Sequence, residues 1–490
     1  MARLLRAVLV ALCCVLTGSR PVARAMTPAA VIRRPNVVVI LIDDMGWKDT
    51  GVYGSTFYET PHIDALSAQG ARFAQFYTAG SVCSPTRASI MTGKSPARVH
   101  ITDWIGGDDP GAMIPARNDS HLPLREFTIG EAFQAGGYAT GYIGKWHLGD
   151  DLAMPSAQGF AFTRAVNHAG QPGSHFAPYR SASMPETNVT DLEGDHTGDY
   201  LTDRLTDEAL RFVQQPRTQP FFLMLSHYAV HTPLEAKTDV TAKYAAKRDR
   251  QAVSQRAEPA AIAEGATAMT KMHQDHATYA AMVESVDESV GRIVHALDSL
   301  HLADNTIVVF MSDNGGLSTL LGSAARMPTS NAPLRAGKGW LYEGGIRAPL
   351  IIRWPGTIGA GRIITTPTIS TDLYPTLLQL AGLPARAAQT LDGVSVAPLL
   401  RGERQALTRS LYWHFPHYHG SGSTPSGAMR RGSLKLVEWF ETGRVELYDL
   451  ARDPGEARDL AAKRPQVAAS LRAELTAWRT RVGANMPRAK

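Results

Sequence analysis

Four short apolar runs in this 490-residue chain each end in a cluster of polar groups, and that recurrence narrows the possible folds more than any other feature. Asn36–Ile42 leads into Asp43-Asp44-Met45-Gly46, and residues 138–143 lead into Gly144-Lys145-Trp146-His147. Residues 221–225 are followed by Ser226-His227-Tyr228-Ala229-Val230-His231, and 306–311 by Ser312-Asp313-Asn314-Gly315-Gly316. Runs this short and this uniformly apolar read as strands buried on both faces. Segments of helical period lie between them. The clearest, 272–300, sets Tyr279, Met282, Val283, Val286, Val290 and Ile293 on one stripe, and no chemistry is expected of it. The alternation predicts an α/β fold with a large mixed, mostly parallel sheet sandwiched by helices. In such sheets ligands gather beyond the carboxyl ends of the strands, so the four polar clusters are candidates for one shared site.

The chain is longer than the roughly 250–300 residues over which a single core usually grows, and its texture changes between 383 and 398. Beyond that point Leu434–Trp439 and 444–449 flank Phe440-Glu441-Thr442-Gly443 as an antiparallel hairpin, and Pro465–Val482 reads as a closing helix. A main domain over 35–385 and a smaller C-terminal α+β subdomain over 386–490 are therefore expected. Residues 236–270, rich in Ala and charge and without an apolar period, are expected to form an exposed insertion. A hydrophobic content of 44% with 19% charged residues excludes disordered and multi-span membrane classes.

Residues 1–25 read as a cleaved secretory signal peptide: Arg3 and Arg6, an apolar run over 7–16, then Ala23-Arg24-Ala25. The expectation is a secreted or periplasmic protein with no stable membrane anchor. Of the net charge of +5, four units belong to Arg3, Arg6, Arg20 and Arg24, so the mature chain is close to neutral and no nucleic-acid partner is expected. The leader also holds Cys13 and Cys14, which leaves Cys83 as the one cysteine of the mature chain.

Cys83 opens the densest segment, Cys83-Ser84-Pro85-Thr86-Arg87-Ala88-Ser89-Ile90-Met91-Thr92-Gly93. Pro85 suits the first turn of a helix, which puts Cys83 at a helix N-terminus with Arg87 one turn on, on the same side. Exposed N–H groups and a guanidinium there would bind an anion, so the segment reads as a reactive-thiol or oxyanion site; a buried inert cysteine is the plainer alternative. Asp43, Asp44, Asp313 and Asn314 offer oxygen and neither sulfur nor imidazole, a set that favours a hard divalent cation.

C-x-P-x-R followed by a small-residue helix and Thr-Gly resembles the pattern of the formylglycine-dependent sulfatases, and the other motifs follow in that family's order between Pro35 and about Gly356. The resemblance implies an alkaline-phosphatase-like fold and a sulfatase activity. It implies that Cys83 is oxidised to formylglycine by a formylglycine-generating enzyme, and that the hydrated aldehyde is the nucleophile. Asp43, Asp44, Asp313 and Asn314 match the metal ligands, usually of one Ca²⁺ and less often Mg²⁺, with the modified Cys83 completing the sphere. Lys145 and Lys338 then grip sulfate oxygens, and His147 acts on the aldehyde hydrate. Arg87 and the metal ease ionisation of one hydroxyl, with Asp313 as proton acceptor. His231, preferred over its rival His227, serves the leaving alcohol together with Lys338.

The expected substrate is a sulfated carbohydrate, with aryl sulfate esters as artificial substrates. Loops over 167–179, 317–334 and 413–420 are candidates to frame it, the last carrying three histidines that are more often packed or sugar-facing than metal-bound. Two other readings stay open: a phosphonate monoester or phosphodiester hydrolase of the same superfamily, and a non-catalytic sulfoglycan-binding protein if Cys83 stays a thiol.

Overall fold

The computed structural model describes residues 34–192, 196–251, 259–262, 267–322, 327–404 and 406–490. The predicted signal peptide lies outside them. The central sheet has eight strands: β1 (Asn36–Ile42), β2 (Ala71–Phe73), β3 (Ala139–Gly144), β4 (Phe162–Arg164), β5 (Phe221–Ser226), β6 (Thr306–Ser312), β7 (Leu350–Arg353) and β8 (Arg362–Ile364). Their spatial order is β8-β2-β7-β6-β1-β5-β3-β4. The four runs singled out from the sequence are the neighbours β6, β1, β5 and β3, and all three pairings among them are parallel. Strand β7 runs antiparallel to β6 and to β2, so the sheet is mixed, as the α/β reading expects.

Every side chain of β1 is buried, and alternate residues enter two different cores. Val37, Val39 and Leu41 pack with the helices Cys83–Thr92, Ile129–Ala135 and Leu373–Leu380. Val38, Ile40 and Ile42 pack with Leu201–Gln214 and Ala277–Ser299 on the opposite face. The two-residue period of a strand delivers this division without further instruction. The helix expected over 272–300 begins at Ala277, where the His276 ring accepts from the Tyr279 N–H.

The expected exposed insertion over 236–270 is instead partly packed. It contains the helix Thr238–Asp249, whose Tyr244 is fully buried and donates to Glu284 at 2.6 Å. One aromatic residue every three turns leaves no apolar stripe to read, yet it is enough to anchor the helix on its neighbour.

Strands β9 (Ser410–Phe415), β10 (Ser426–Arg431), β11 (Leu434–Trp439) and β12 (Val445–Asp449) form a second, antiparallel sheet in sequential order. The expected hairpin is β11–β12, with Gly443 at φ +66° in its turn. The closing helix spans Pro465–Val482 and packs Leu471, Leu475 and Trp478 onto Met429, Leu436 and Leu447. The other face of this sheet, with Trp413, Val437 and Tyr448, packs on Trp340, Leu341 and Tyr342. Among the described residues no helix is long and apolar enough to cross a membrane.

Candidate active site

The polar residues that end β1, β3, β5 and β6 meet the N-terminus of the helix Cys83–Thr92 at one edge of the sheet. Backbone geometry at the strand ends arranges this meeting. Gly144 has φ +95°, and a Cβ there would lie 1.9 Å from the Ser226 carbonyl oxygen, the same oxygen that accepts from the Lys145 N–H at 2.8 Å. Only glycine permits that approach. Asp44 and His147 are themselves left-handed, at φ +61° and +56°, a conformation that non-glycine residues adopt only where the surroundings hold them.

Three carboxylates and three cations interlock below the surface. Arg87 donates through Nε and Nη2 to Asp313 Oδ2 at 2.9 and 2.7 Å, and through Nη1 to the Lys145 carbonyl and Ser226 Oγ, both at 2.8 Å. Lys145 donates to Asp43 Oδ2 at 2.5 Å, and Lys338 contacts both oxygens of Asp44 at 2.8 and 2.9 Å. Asp43, Asp44, Asp313 and Asn314 are all buried. Burial pushes the Asp43 carboxyl up to about 7, with Lys145 opposing and the neighbouring carboxylates reinforcing the rise. Asp44 is also penalised by burial, but Lys338, His231, Lys145 and the Asn314 hydrogen bond hold it below the usual range.

Cys83 lies at the floor of this cluster, its Sγ 3.5 Å from Asp43 Oδ1. Burial drives its thiol up to about 12, and the nearby Lys145 and Lys338 do not reverse the effect. Burial beside a carboxylate disfavours the thiolate that a reactive-thiol site would use. Asp43 is the carboxylate beside Cys83, whereas Asp313, the proton acceptor expected from sequence, is clamped by Arg87.

Ligand atoms of Asp43, Asp44, Cys83 and His231 lie within 4.8 Å of one another. Of these groups the Asp43 and Asp44 carboxylates offer the oxygen that a hard cation takes, Cys83 and His231 offer sulfur and imidazole, and Asp313 is not among them. The buried Asn314 Oδ1 has no hydrogen-bond partner, while its amide nitrogen donates to Asp44 Oδ1 at 2.7 Å. A buried carbonyl oxygen without a partner, on a side chain whose nitrogen reaches Asp44, is an oxygen ligand in waiting.

Above the cluster opens a cavity of about 730 Å³ lined by Cys83, His147, His231 and Lys338 among others. His147 Nε2 lies 3.1 Å from the Ile105 carbonyl, an acceptor, so that nitrogen carries the proton and the partnerless Nδ1 holds a lone pair. Burial, then Lys145 and Arg87, keep this ring neutral. The two histidines after β5 separate cleanly. His231 lines the cavity with Nε2 3.6 Å from Asp44 Oδ2, while His227 is buried against Ser289 Oγ at 3.0 Å.

Residues of all three loops expected to frame the substrate reach the cavity, among them His168, Gln171, Leu317, Leu320 and His419. Of the three histidines in 413–420 only His419 does so. His414 bonds the Asn485 carbonyl and His417 bonds Thr102 Oγ1 at 2.7 Å, so they are packing groups. Trp413, placed in a loop by the sequence reading, sits in β9 with Nε1 donating to the Thr78 carbonyl.

Three supporting features carried no sequence signal. Ser84 Oγ donates to the His147 carbonyl at 2.8 Å and accepts from the Ile105 N–H at 3.0 Å, tying two cavity walls together. Asp49, fully buried, accepts from the Gly46 N–H, Tyr279, Thr329 and Gln274 at 2.5 to 2.8 Å and so braces the loop after β1. Its partner Tyr279 comes from the helix of which no chemistry was expected. Third, Lys435 on β11 is fully buried between Glu343 at 3.0 Å and Glu456 at 2.8 Å, beneath the segment that carries Lys338. Glu456 stands in the turn that the sequence marks only as a break, at φ +52°.

Comparison with known proteins agrees with this geometry. Residues 35–383 match the family model described as Sulfatase, and residues 336–481 match that of the N-sulphoglucosamine sulphohydrolase C-terminal region. A sulfatase of Formosa agariphila is 30% identical over 93% of this chain and 90% of its own. The N-acetylgalactosamine-6-sulfatase of Sus scrofa is 34% identical over 86% of this chain and 75% of its own. The crystal structure of Ps i-CgsB in complex with k-i-k-neocarrahexaose superposes with a TM-score of 0.72 at 28% identity, covering 91% of this chain and 93% of that one. Strand order, converging site and family match lead to one conclusion: the chain belongs to the sulfatase family, with its alkaline-phosphatase-like α/β fold, and is a sulfuric ester hydrolase.

Proposed function

We propose that this enzyme hydrolyses a sulfate monoester of a carbohydrate, with aryl sulfates as surrogate substrates, using formylglycine made from Cys83 and a bound Ca²⁺. The observation that carries the reading is the convergence of Cys83, an oxygen-rich buried cluster and Lys338 at the floor of one cavity. The carbohydrate class draws support from the names of similar proteins, an N-acetylgalactosamine-6-sulfatase and a carrageenan-oligosaccharide complex.

Asp43, Asp44, Asp313 and Asn314 would hold the cation, whose charge favours an anionic substrate and an ionised hydroxyl at residue 83. The formylglycine hydrate supplies the nucleophilic oxygen and a second hydroxyl through which sulfate is expelled. The chain's own groups do the rest. Without a metal, the three carboxylates are balanced by Arg87, Lys145 and Lys338, so a divalent ion gives the centre the positive charge that sulfate needs. Arg87 fixes Asp313 and, through the Lys145 carbonyl, the end of β3. Lys338, which lines the cavity, orients the sulfate oxygens, and Lys145, buried behind it on Asp43, adds positive charge. His147 Nδ1 accepts the proton from the second hydroxyl. On the leaving side Lys338 is the standing donor, while His231, whose Nδ1–H faces the Thr232 carbonyl at 2.9 Å, serves the departing oxygen through Nε2 only in its protonated form, which Asp44 at 3.6 Å favours. Secretion or export to a periplasm, following the leader reading, accords with a formylglycine enzyme acting on external glycans.

The test has two parts. Mass analysis of the peptide containing Cys83, from protein made in its native host, is expected to show aldehyde in place of thiol. Rates on 4-nitrophenyl sulfate and 4-nitrophenyl phosphate then separate sulfatase from phosphohydrolase. A quantitatively free thiol, or a preference for the phosphate ester, overturns the proposal.

A further inference from the structure

The charge around the cavity is uneven, and the unevenness bears on the alcohol half of the substrate. At the floor, cations and carboxylates are matched one for one: Arg87, Lys145 and Lys338 with Asp313, Asp43 and Asp44. Apart from Lys338, the only permanently charged side chains lining the cavity among the described residues are Asp109 and Glu186, both acidic. The rest of the wall is largely apolar, with Trp104, Met184, Leu317 and Leu320. The half-buried Trp104, whose backbone N–H donates to the buried Asp103 Oδ1 at 2.8 Å, places its ring beside His147 at 6.3 Å between centroids.

An ester docked by its sulfate on Lys338 therefore lays its alcohol against an indole face, aliphatic side chains and two carboxylates. Hydroxyl and amide N–H groups find acceptors there, whereas a second sulfate or a uronate finds like charge and no cation. We propose that the natural substrate carries its only negative charge on the sulfate that is removed: a neutral or N-acylated sugar ester, not a polysulfated or uronate-bearing segment at the bound position. This rests on the sulfatase reading of the site.

The test uses the mature enzyme and two esters of phenols of similar acidity, 4-acetamidophenyl sulfate and 4-carboxyphenyl sulfate, at low ionic strength. Two carboxylates at about 8 Å from an added anion correspond to about a fivefold loss of kcat/KM for the carboxylated ester. Added salt is expected to shrink that ratio. In the double variant Asp109→Asn/Glu186→Gln the ratio is expected to fall at least twofold. Equal or faster turnover of the carboxylated ester, or a ratio untouched by the double variant, overturns the inference while leaving the sulfatase reading intact. Turnover of neither ester, with the aldehyde verified at residue 83, removes that reading and the inference with it.

Discussion

Lys338 touches Asp44 through both carboxylate oxygens and still lines the cavity, so it belongs to the buried charge cluster and to the substrate surface at once. Replacing it leaves Asp44 without its closest cation and, in the proposed mechanism, the departing oxygen without a donor. Lys338→Ala is expected to lower kcat on 4-nitrophenyl sulfate by about 10²–10³-fold, the range for loss of one preorganised electrostatic donor. A loss under tenfold, with the variant folded, rules out that role. At this scale the sequence was readable wherever a residue type announces its chemistry, as the Asp pair after β1 and the cysteine ahead of Pro85 do. It was silent on Asp49, Ser84 and Glu456, whose work depends on what comes to lie opposite them. Asp49 is read only when Tyr279 and Thr329, more than 200 positions away, are seen donating to it.

Among elements, β11 exerts leverage on the active site that its amphipathic pattern hides. Lys435 Nζ sits between Glu343 and Glu456, all three inaccessible to solvent, and Glu343 also accepts from Tyr77 at 2.7 Å. Lys435→Met leaves Glu456 without its cation and Glu343 with only the more distant Arg347 at 3.7 Å, and breaking a buried pair costs about 3–5 kcal/mol. We expect a lowered urea midpoint and, because Glu343 follows the Lys338 segment, a larger proportional loss of kcat than of Cys83 modification. Strand β9 allows a second measurement. His417 follows it and is buried, which holds its imidazole down to about 3 with His414 adding to the effect. A depressed folded value means that the neutral ring's contribution is complete above the unfolded value near 6.5 and is lost as pH falls towards 3. Asp103 Oδ2 lies 3.9 Å from His417 Nδ1, so the comparison is made in an Asp103→Asn background, where the stability difference between His417 and His417→Asn is expected to shrink below pH 6.5 by about 1.4 kcal/mol per pH unit. A difference flat from pH 7.5 to 5 refutes the assignment. The elements themselves were legible where period and length agree, as in Pro465–Val482. They were not where a helix such as Thr238–Asp249 is held by a single buried Tyr244 and side-chain ion pairs.

At the scale of the whole molecule, the site draws together strands distant in sequence: Asp43 and Asp44 follow β1, Asp313 and Asn314 follow β6, and Lys338 approaches from the segment packed on the second sheet. The three buried carboxylates are balanced by Arg87, Lys145 and Lys338, but the orphaned Asn314 Oδ1 is left without a hydrogen-bond partner. A Ca²⁺ ion bound there, as proposed, would take up that oxygen in the folded chain and would have no comparable site in the unfolded one. Its binding is therefore folding free energy, about 2.7 kcal/mol when the free ion stands at 100 times its Kd. Removal of the ion with a chelator is expected to lower the thermal midpoint by a few degrees and to abolish turnover. Readdition of Ca²⁺ should restore both, and Mg²⁺ should restore less, since a small ion with strict octahedral demands is poorly served by ligands fixed on separate strands. Asn314→Leu separates this from general charge screening. It keeps the carboxylates and removes the neutral oxygen, so it should weaken the calcium-dependent shift in midpoint while leaving the response of the midpoint to NaCl as in wild type. A midpoint indifferent to chelation in the wild-type enzyme, or an Asn314→Leu shift equal to that of wild type, would exclude this cluster as the cation site.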